Sequence, residues 1–225
     1  MLKDLMAGMP NSTTTDRSII AHFNNGIPMH FKSGETIIND LDEPLGVYLI
    51  KSGFIKAGSV SKAGAGNLFF IHHAGEFIPL PWALDGAHVT GLSYQAMTAV
   101  TVLRTSKSDL RVAMGHDTWL SQEILKHAVE VIAVYTQRIQ TLEFRSARER
   151  IISELLSLAE RFGVKHHNTV VIHAPITHLD MADSINMTRE TASKALELLF
   201  EEGLVTQTDH RFTILDLPKL QETLM

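Results

Sequence analysis

Four polar side chains that can read DNA bases lie in one short segment near the carboxyl end of the chain. Residues 177–205 read THLDMADSINMTRETASKALELLFEEGLV, in which two helical patterns are separated by two or three residues. Arg189, Glu190, Ser193 and Lys194 are predicted to face outward from the second pattern. Lysine and arginine donate to guanine N7 and O6, glutamate accepts from cytosine N4, and serine serves either way. Because any surface helix carries such residues, these four alone also fit a solvated face.

The residues around this set favour a helix-turn-helix. Thr177 and Asp180 predict a capping box, Asn186 suits the left-handed turn between two helices, and Thr188 is a predicted cap. The predicted inward residues are Leu179, Ala182 and Ile185 on the first helix, and Ala192, Ala195, Leu196 and Leu199 on the second. The segment that follows, GLVTQTDHRFTIL, alternates around a polar tip at residues 208–211, which predicts a hairpin. Together these features predict a winged helix-turn-helix, which reads mainly the major groove.

Glycine use divides the chain into an N-terminal and a C-terminal part. Twelve of the fourteen glycines lie in residues 1–115, where apolar runs such as ETIIND and GVYLIKSGFIKAGSV have strand-like spacing. This pattern predicts an antiparallel barrel or sandwich. We therefore predict an α+β chain with a β-rich domain over residues 1–115, a long helix within 116–145 and a DNA-binding domain over 146–225.

The predicted long helix carries more apolar surface than one packing contact covers. Residues 117–144 contain neither glycine nor proline. One apolar stripe comprises Leu125, Ala128, Ile132, Tyr135, Ile139 and Leu142, and the neighbouring stripe comprises Ile124, Val131 and Val134. We predict that one stripe packs on the β-domain and the other on a second copy of the chain, giving a two-fold homodimer. The alternative is a helix buried within a monomer.

The C-terminal part is acidic overall, so contacts to phosphate need local patches of charge. Residues 145–225 contain nine Lys or Arg and twelve Asp or Glu. ARERIISELLSLAERFG predicts a helix that ends at Gly163, and NTVVIHAP predicts a short strand. Candidate phosphate contacts are Lys165, His166, His167 and Arg211.

The chain resembles the Crp/Fnr-type transcription regulators from about residue 20 to its end. The resemblance rests on ITHLDMADSINMTRETASKALELLFEEGLV and on the upstream pattern FKSGETIIND, GVYLIKSGFIKAG and HHAGEFIPLPWAL. It implies a cyclic-nucleotide-binding-like β-roll of jelly-roll type, a dimerising central helix, and a winged helix that reads a palindromic operator. It also implies that Arg189, Glu190, Ser193 and Lys194 read bases and that Thr188 contacts phosphate. Lys194 stands where the family usually has arginine, which weakens the expected guanine contact because lysine lacks the planar fork.

The effector segment departs from members of the family that bind cyclic nucleotides. Those members place Gly-Glu and Arg-Ser or Arg-Thr where this chain, aligned without a gap, has Pro79, Leu80, Thr90 and Gly91. A buried phosphodiester needs a positive partner and backbone N–H donors. Pro79 has no N–H to donate, and Thr90 carries no charge. We predict that cAMP does not bind. The remaining effector-pocket candidates, Ile78 and Trp82, fit a pocket filled by its own side chains or one for a small apolar effector.

Composition excludes several other functions. The chain has no cysteine, which removes disulfides, thiolate zinc sites, cysteine-ligated clusters and cysteine nucleophiles. The adjacent pairs His72–His73 and His166–His167 chelate poorly because neighbours on a strand point to opposite faces, so no metal or other cofactor is predicted. No nucleophile-elbow, Walker or HExxH motif occurs, and no catalytic residues are predicted.

The predicted partners follow from these features. No signal-peptide-like or membrane-length apolar run is present, so we expect a cytoplasmic protein without membrane contact. The partners are double-stranded DNA, a second copy of the chain and, for an activator, RNA polymerase, with an unknown effector. The rival hypothesis is a ligand-sensing β-roll whose helical tail contacts other proteins.

Overall fold

The computed structural model describes residues 23, 26–60, 66–85, 92–144 and 146–224. Its strands are β1 (Ile27–Phe31), β2 (Thr36–Ile38), β3 (Val47–Ser52), β4 (Ile55–Val60), β5 (Gly66–His72), β6 (Phe77–Ile78), β7 (Ser93–Ala96), β8 (Val100–Thr105), β9 (Gly163–His166), β10 (Thr169–Ile172), β11 (Val205–Thr208) and β12 (Arg211–Ile214). Its helices are α1 (Leu80–Ala83), α2 (Lys107–His116), α3 (Thr118–Phe144), α4 (Ala147–Phe162), α5 (His178–Ser184), α6 (Arg189–Glu201) and α7 (Leu217–Glu222).

The N-terminal part is a β-roll of two antiparallel four-stranded sheets. Their strand orders are β1-β8-β3-β6 and β2-β7-β4-β5. Alternate apolar residues of both sheets meet in one core, with Tyr48, Ile55, Phe70 and Val102 among its buried members. This arrangement confirms the antiparallel β-domain predicted from the glycine-rich first half.

One side of α3 packs against the β-roll. Ile124 is buried in a core cluster with Leu49 and Leu110, while Val131 and Tyr135 pack against the core between the two sheets. The helix predicted over residues 117–144 runs from Thr118 to Phe144 and is therefore confirmed.

A second stripe of α3 is exposed in the single chain. We call the exposed apolar residues Leu125, Val129, Ile132 and Ile139 the α3 seam, and their side chains are between 56% and 64% exposed. With exposed Thr136, they recur at alternating steps of four and three residues, which is the heptad spacing of paired helices. An apolar stripe of this regularity is suited to packing against another helix.

The membership of the predicted stripes is corrected by the structure. Ala128, Tyr135 and Leu142, which the sequence pattern grouped with Ile132, pack inward against the cores. Val129, which the pattern omitted, belongs to the exposed seam. The two stripes are adjacent on the helix, and steps of three and four residues fit either assignment.

The C-terminal part combines a small sheet with four helices. The sheet order is β11-β12-β10-β9, and α4, α5 and α6 cover its core. Ser146 and Glu149 form a capping box at the start of α4. Gly163 follows the last residue of α4, as predicted. Strand β9, which pairs with β10, was not predicted.

The β-roll and the C-terminal part pack directly on each other. The Lys56 amino group lies 2.8 Å from an Asp180 carboxylate oxygen. Arg138 of α3 donates hydrogen bonds to the carbonyl oxygens of Leu68 and Asp183, and so joins β5 to α5. Among the described residues, no helix is long and apolar enough to cross a membrane.

Candidate nucleic-acid interface

The first helix of the motif begins with the predicted capping box. The Asp180 amide donates to the Thr177 hydroxyl at 3.0 Å, and the Thr177 amide donates to the Asp180 carboxylate at 3.1 Å. Ala182 and Ile185 are buried as predicted, but Leu179 is 52% exposed, so its predicted inward position is wrong. Helix α5 is instead buried on the side that includes Asp180, because the β-roll packs there and Lys56 pairs with this carboxylate.

The turn between the helices has the predicted backbone geometry. Asn186 has φ of 53°, a left-handed conformation that asparagine tolerates better than most residues. The Met187 amide donates to the Ala182 carbonyl at 3.1 Å, which closes the turn. Thr188 then caps α6, where its hydroxyl accepts from the Thr191 amide at 3.2 Å. The turn and cap therefore fix the direction in which α6 leaves α5.

The outer face of α6 presents the four predicted base-reading residues near its N-terminal end. Arg189, Glu190 and Lys194 are exposed, whereas Ser193 is half-buried. The pKa of the Glu190 carboxyl is lowered by hydrogen bonds from its own backbone amide and from the Thr188 side chain, and by the nearby cations. Glu190 is therefore an ionised acceptor at neutral pH, as contact with a cytosine amino group requires.

Ser193 is joined to the rest of the domain by His178, a residue that sequence reasoning missed. His178 Nδ1 lies 2.9 Å from the Ser193 hydroxyl, and its Nε2 lies 3.1 Å from Gln207 Oε1 on β11. Gln207 Nε2 donates to the Ile176 carbonyl, so Gln207 Oε1 accepts from His178. In a neutral ring, Nδ1 then accepts the Ser193 proton, and the serine oxygen stays available to a base amino group.

His178 thereby connects α5, α6 and the wing. Its ring stacks on Phe212 of β12, with centroids 6.4 Å apart and planes 14° apart. No sequence pattern marks this role, because a histidine at the first position of a helix is ordinary and its partners are 15 and 29 residues away.

The wing and the β9–β10 turn carry the predicted phosphate contacts. Asp209 and His210 both have positive φ, which gives the two-residue turn that joins twisted antiparallel strands. Arg211 is exposed immediately after this turn. At the other hairpin, Lys165, His166 and His167 are all exposed. Each of these cationic or hydrogen-bonding side chains is therefore accessible to a ligand.

Part of the predicted effector segment is packed in the hydrophobic core. Ile78 and Leu80 are buried in separate apolar clusters, and Trp82 is half-buried under the Lys107 amino group, 4.7 Å from its ring centre. Pro79 precedes α1 as its N-cap residue. Thr90 and Gly91 lie outside the described residues. The side chains of Ile78 and Leu80 are therefore packed within the apolar cores.

Two protein-family models match the chain. A cyclic nucleotide-binding domain matches residues 28–117, and a Crp-like helix-turn-helix domain matches residues 149–223. The first covers the β-roll as far as the start of α3, and the second covers the C-terminal sheet and its helices.

Curated relatives match most of the chain at low identity. The nitrogen fixation regulation protein FixK of Bradyrhizobium diazoefficiens is 24% identical over 87% of this chain and 81% of the relative. A CRP-like cAMP-activated global transcriptional regulator of Mycobacterium tuberculosis is 23% identical over 86% of both chains. A solved structure of a CooA variant from Carboxydothermus hydrogenoformans shares the fold, with a TM-score of 0.76, 19% identity, and coverage of 99% of this chain and 94% of that one.

Proposed function

The chain belongs to the Crp/Fnr family and is a DNA-binding transcription regulator of that type, and we propose that it binds a palindromic operator as a homodimer. In this proposal α6 enters the major groove and the β11–β12 wing lies along the backbone. The role needs no catalytic residues, and binding to the chromosome requires a cytoplasmic location. A regulator that activates transcription also contacts RNA polymerase.

One observation carries the proposal: three of the four base-reading candidates are exposed on a rigidly held helix face, and the fourth, Ser193, is half-buried and bonded to His178. Packing does not account for the residue types at Arg189, Glu190 and Lys194, because all three are exposed. The opposite face of α6 is buried through Ala192 and Leu196. A capped helix whose direction is fixed by a tight turn is what reading base edges requires, because base contacts depend on register.

The α3 seam supports the homodimer. Its four apolar side chains are exposed in the single chain and follow heptad spacing over four helical turns of α3. Pairing with the same seam of a second copy would bury them along a two-fold axis. This axis would place two α6 helices on one face of a DNA duplex, as a palindromic site demands.

The proposal predicts that base reading and phosphate anchoring on α6 can be separated. Glu190→Ala and Lys194→Ala should each cost about 1–3 kcal/mol on the best operator and flatten the preference at one base pair per half-site. Thr188→Ala should weaken binding to all DNA sequences about equally. Part of that loss of affinity comes from the loss of the helix cap, worth about 1 kcal/mol. Binding titrations on the operator and on its single-base variants measure both quantities.

The matched control for this experiment is Glu197→Ala. Glu197 is exposed on the same helix, two turns beyond Glu190 and three residues beyond Lys194, where base contact is not expected. It should leave base preference unchanged. Unaltered preference in Glu190→Ala and Lys194→Ala would show that this face of α6 is not the reader.

We further predict that cAMP is not an effector of this protein, although the mycobacterial relative is named as cAMP-activated. The segment that would hold the ribose and phosphate has Pro79 and Leu80, and Leu80 is buried in a core. Thr90, at the position expected to bear arginine, has no charge to pair with a phosphate. Calorimetric titration of the full chain should detect no cAMP or cGMP binding at micromolar concentrations. A micromolar or tighter dissociation constant would contradict the ungapped alignment of this segment.

A further inference from the structure

Three buried side chains converge where the β-roll meets α3. His72 ends β5, Glu76 lies in the turn before β6, and His127 lies on α3. Each side chain offers one ligand atom, the three atoms lie within 4.8 Å of one another, and each residue is at most 9% exposed. Among the described residues this is the one group of three or more histidine, aspartate or glutamate residues with such spacing.

His127 has a buried, unsatisfied polar atom of the kind that a bound ligand satisfies. Its Nε2 is buried and has no hydrogen-bond partner, alone in this respect among the side-chain atoms of the described residues. Burial lowers the pKa of His127 to about 4, against the opposing pull of the Glu76 charge. Imidazole binds metals in its neutral form, through a ring nitrogen that carries no proton. A buried polar group without a partner is costly, so it calls for a specific explanation.

Glu76 presents its two carboxylate oxygens to different neighbours. Oε2 lies 2.7 Å from His72 Nδ1, whereas Oε1 lies 3.7 Å from His73 Nε2 and 3.9 Å from Arg161. Burial raises the pKa of Glu76, but the hydrogen bond from His72 and the electrostatic influence of His72, His73 and His127 together lower it to about 2. One carboxylate oxygen is therefore directed at the His72 ring, while the other lies near His73 and the Arg161 guanidinium.

We propose that His72, Glu76 and His127 bind a divalent transition-metal ion of the Zn²⁺, Fe²⁺ or Co²⁺ class. Two imidazoles and one carboxylate are a usual donor set for these ions, whereas Mg²⁺ and Ca²⁺ prefer oxygen ligands alone. The ion takes the place of the hydrogen bond between His72 and Glu76, so His72 binds through an Nδ1 atom that carries no proton. The proposal is independent of DNA binding.

The site requires only small side-chain movements. Ligand atoms on a tetrahedral zinc ion lie about 3.4 Å apart, given bonds of about 2.0–2.1 Å. The widest separation allowed here, 4.8 Å, therefore has to close by about 1.4 Å. Three protein ligands leave a position for water, and Arg161 stays outside because it donates to the Ile71 carbonyl and stacks on Phe70.

Sequence spacing could not reveal this site. His72 and His73 do not chelate together, because the His72 ring lies against Tyr94 and His127 while the His73 ring lies against Phe162. The site uses one histidine of the pair and recruits its third ligand from α3, 55 residues later in the chain. This proposal therefore replaces the sequence-based prediction that the chain binds no metal.

The experiment is calorimetric titration of the untagged, metal-stripped full chain with Zn²⁺, together with Co²⁺ titration followed by its visible absorption. We expect one tight site per chain, tetrahedral Co²⁺ bands and a Zn²⁺-dependent rise in Tm. Glu76→Gln and His127→Gln should each weaken this site by at least about 100-fold, because loss of a mere outer-shell partner costs about 10–100-fold. His116→Gln and His173→Gln, which change exposed histidines, should bind as the wild type does.

Two results would overturn the proposal. One is a titration of the wild-type chain that shows only weak binding to surface histidines and no site with a stoichiometry of one ion per chain. The other is wild-type affinity in either Glu76→Gln or His127→Gln with a native circular dichroism spectrum. If His127→Gln does not fold, Glu76→Gln decides alone, because it keeps the size of the side chain and one hydrogen bond to His72.

Discussion

Ile132→Asp combined with Ile139→Asp is expected to convert the protein into a folded monomer that no longer binds its full operator. Both side chains belong to the exposed α3 seam, so the single chain tolerates a charge at either position. In a two-fold dimer the substitutions place four carboxylates in an apolar contact, at a cost of several kcal/mol unless they escape to water. The dimer also loses the burial of four isoleucines, worth about 1.5–3 kcal/mol each.

Light scattering at micromolar concentration, with operator titration alongside, measures the effect. Val112→Asp is the matched control, because Val112 is a similarly exposed apolar residue on α2, outside the seam. It should remain dimeric and bind normally. A well-folded wild-type chain that is monomeric at micromolar concentration would refute the homodimer.

Insertion of five base pairs between the half-sites of the operator is expected to abolish specific binding. A dimer built on paired α3 helices fixes the separation and rotation of its two α6 helices, so half-site centres should lie about 10–10.5 base pairs apart. Five added base pairs turn one half-site by roughly half a helical turn, to the opposite face of the duplex. Affinity should then fall to the level of non-specific DNA, about 10³–10⁷ weaker for typical regulators.

Titration of the two duplexes at one salt concentration provides the comparison, because affinity for DNA depends strongly on salt. A duplex with the same five base pairs added outside the operator is the control and should bind normally. Equal affinity for the interrupted and intact operators would mean that the two half-sites are read independently.

The helix-turn-helix was predictable because its signals are local. The Thr177 capping box, the left-handed Asn186 and the Thr188 cap are each set by residues within a few positions in the sequence. The inward Ala192 and Leu196 follow from helical periodicity. Such features depend little on what the rest of the chain does.

The predictions that are wrong or missing concern residues whose positions depend on contacts between segments far apart in the sequence. Leu179 is exposed because α5 turns Asp180 towards the β-roll, and no local pattern specifies that contact. The link from His178 to Ser193 and Gln207 and the convergence of His72, Glu76 and His127 both join residues far apart in sequence. On α3, periodicity identified two apolar stripes but could not tell which residues face the β-roll.

Selection of tightly bound duplexes from random-sequence DNA tests most directly whether this protein is a dimeric, sequence-specific regulator. Several rounds of electrophoretic retardation with the full chain should enrich a palindrome whose half-site centres lie about 10–10.5 base pairs apart. Recovery of no common sequence would contradict specific DNA binding and favour a β-roll that acts through protein partners. Recovery of a single, unpaired half-site would contradict the homodimer.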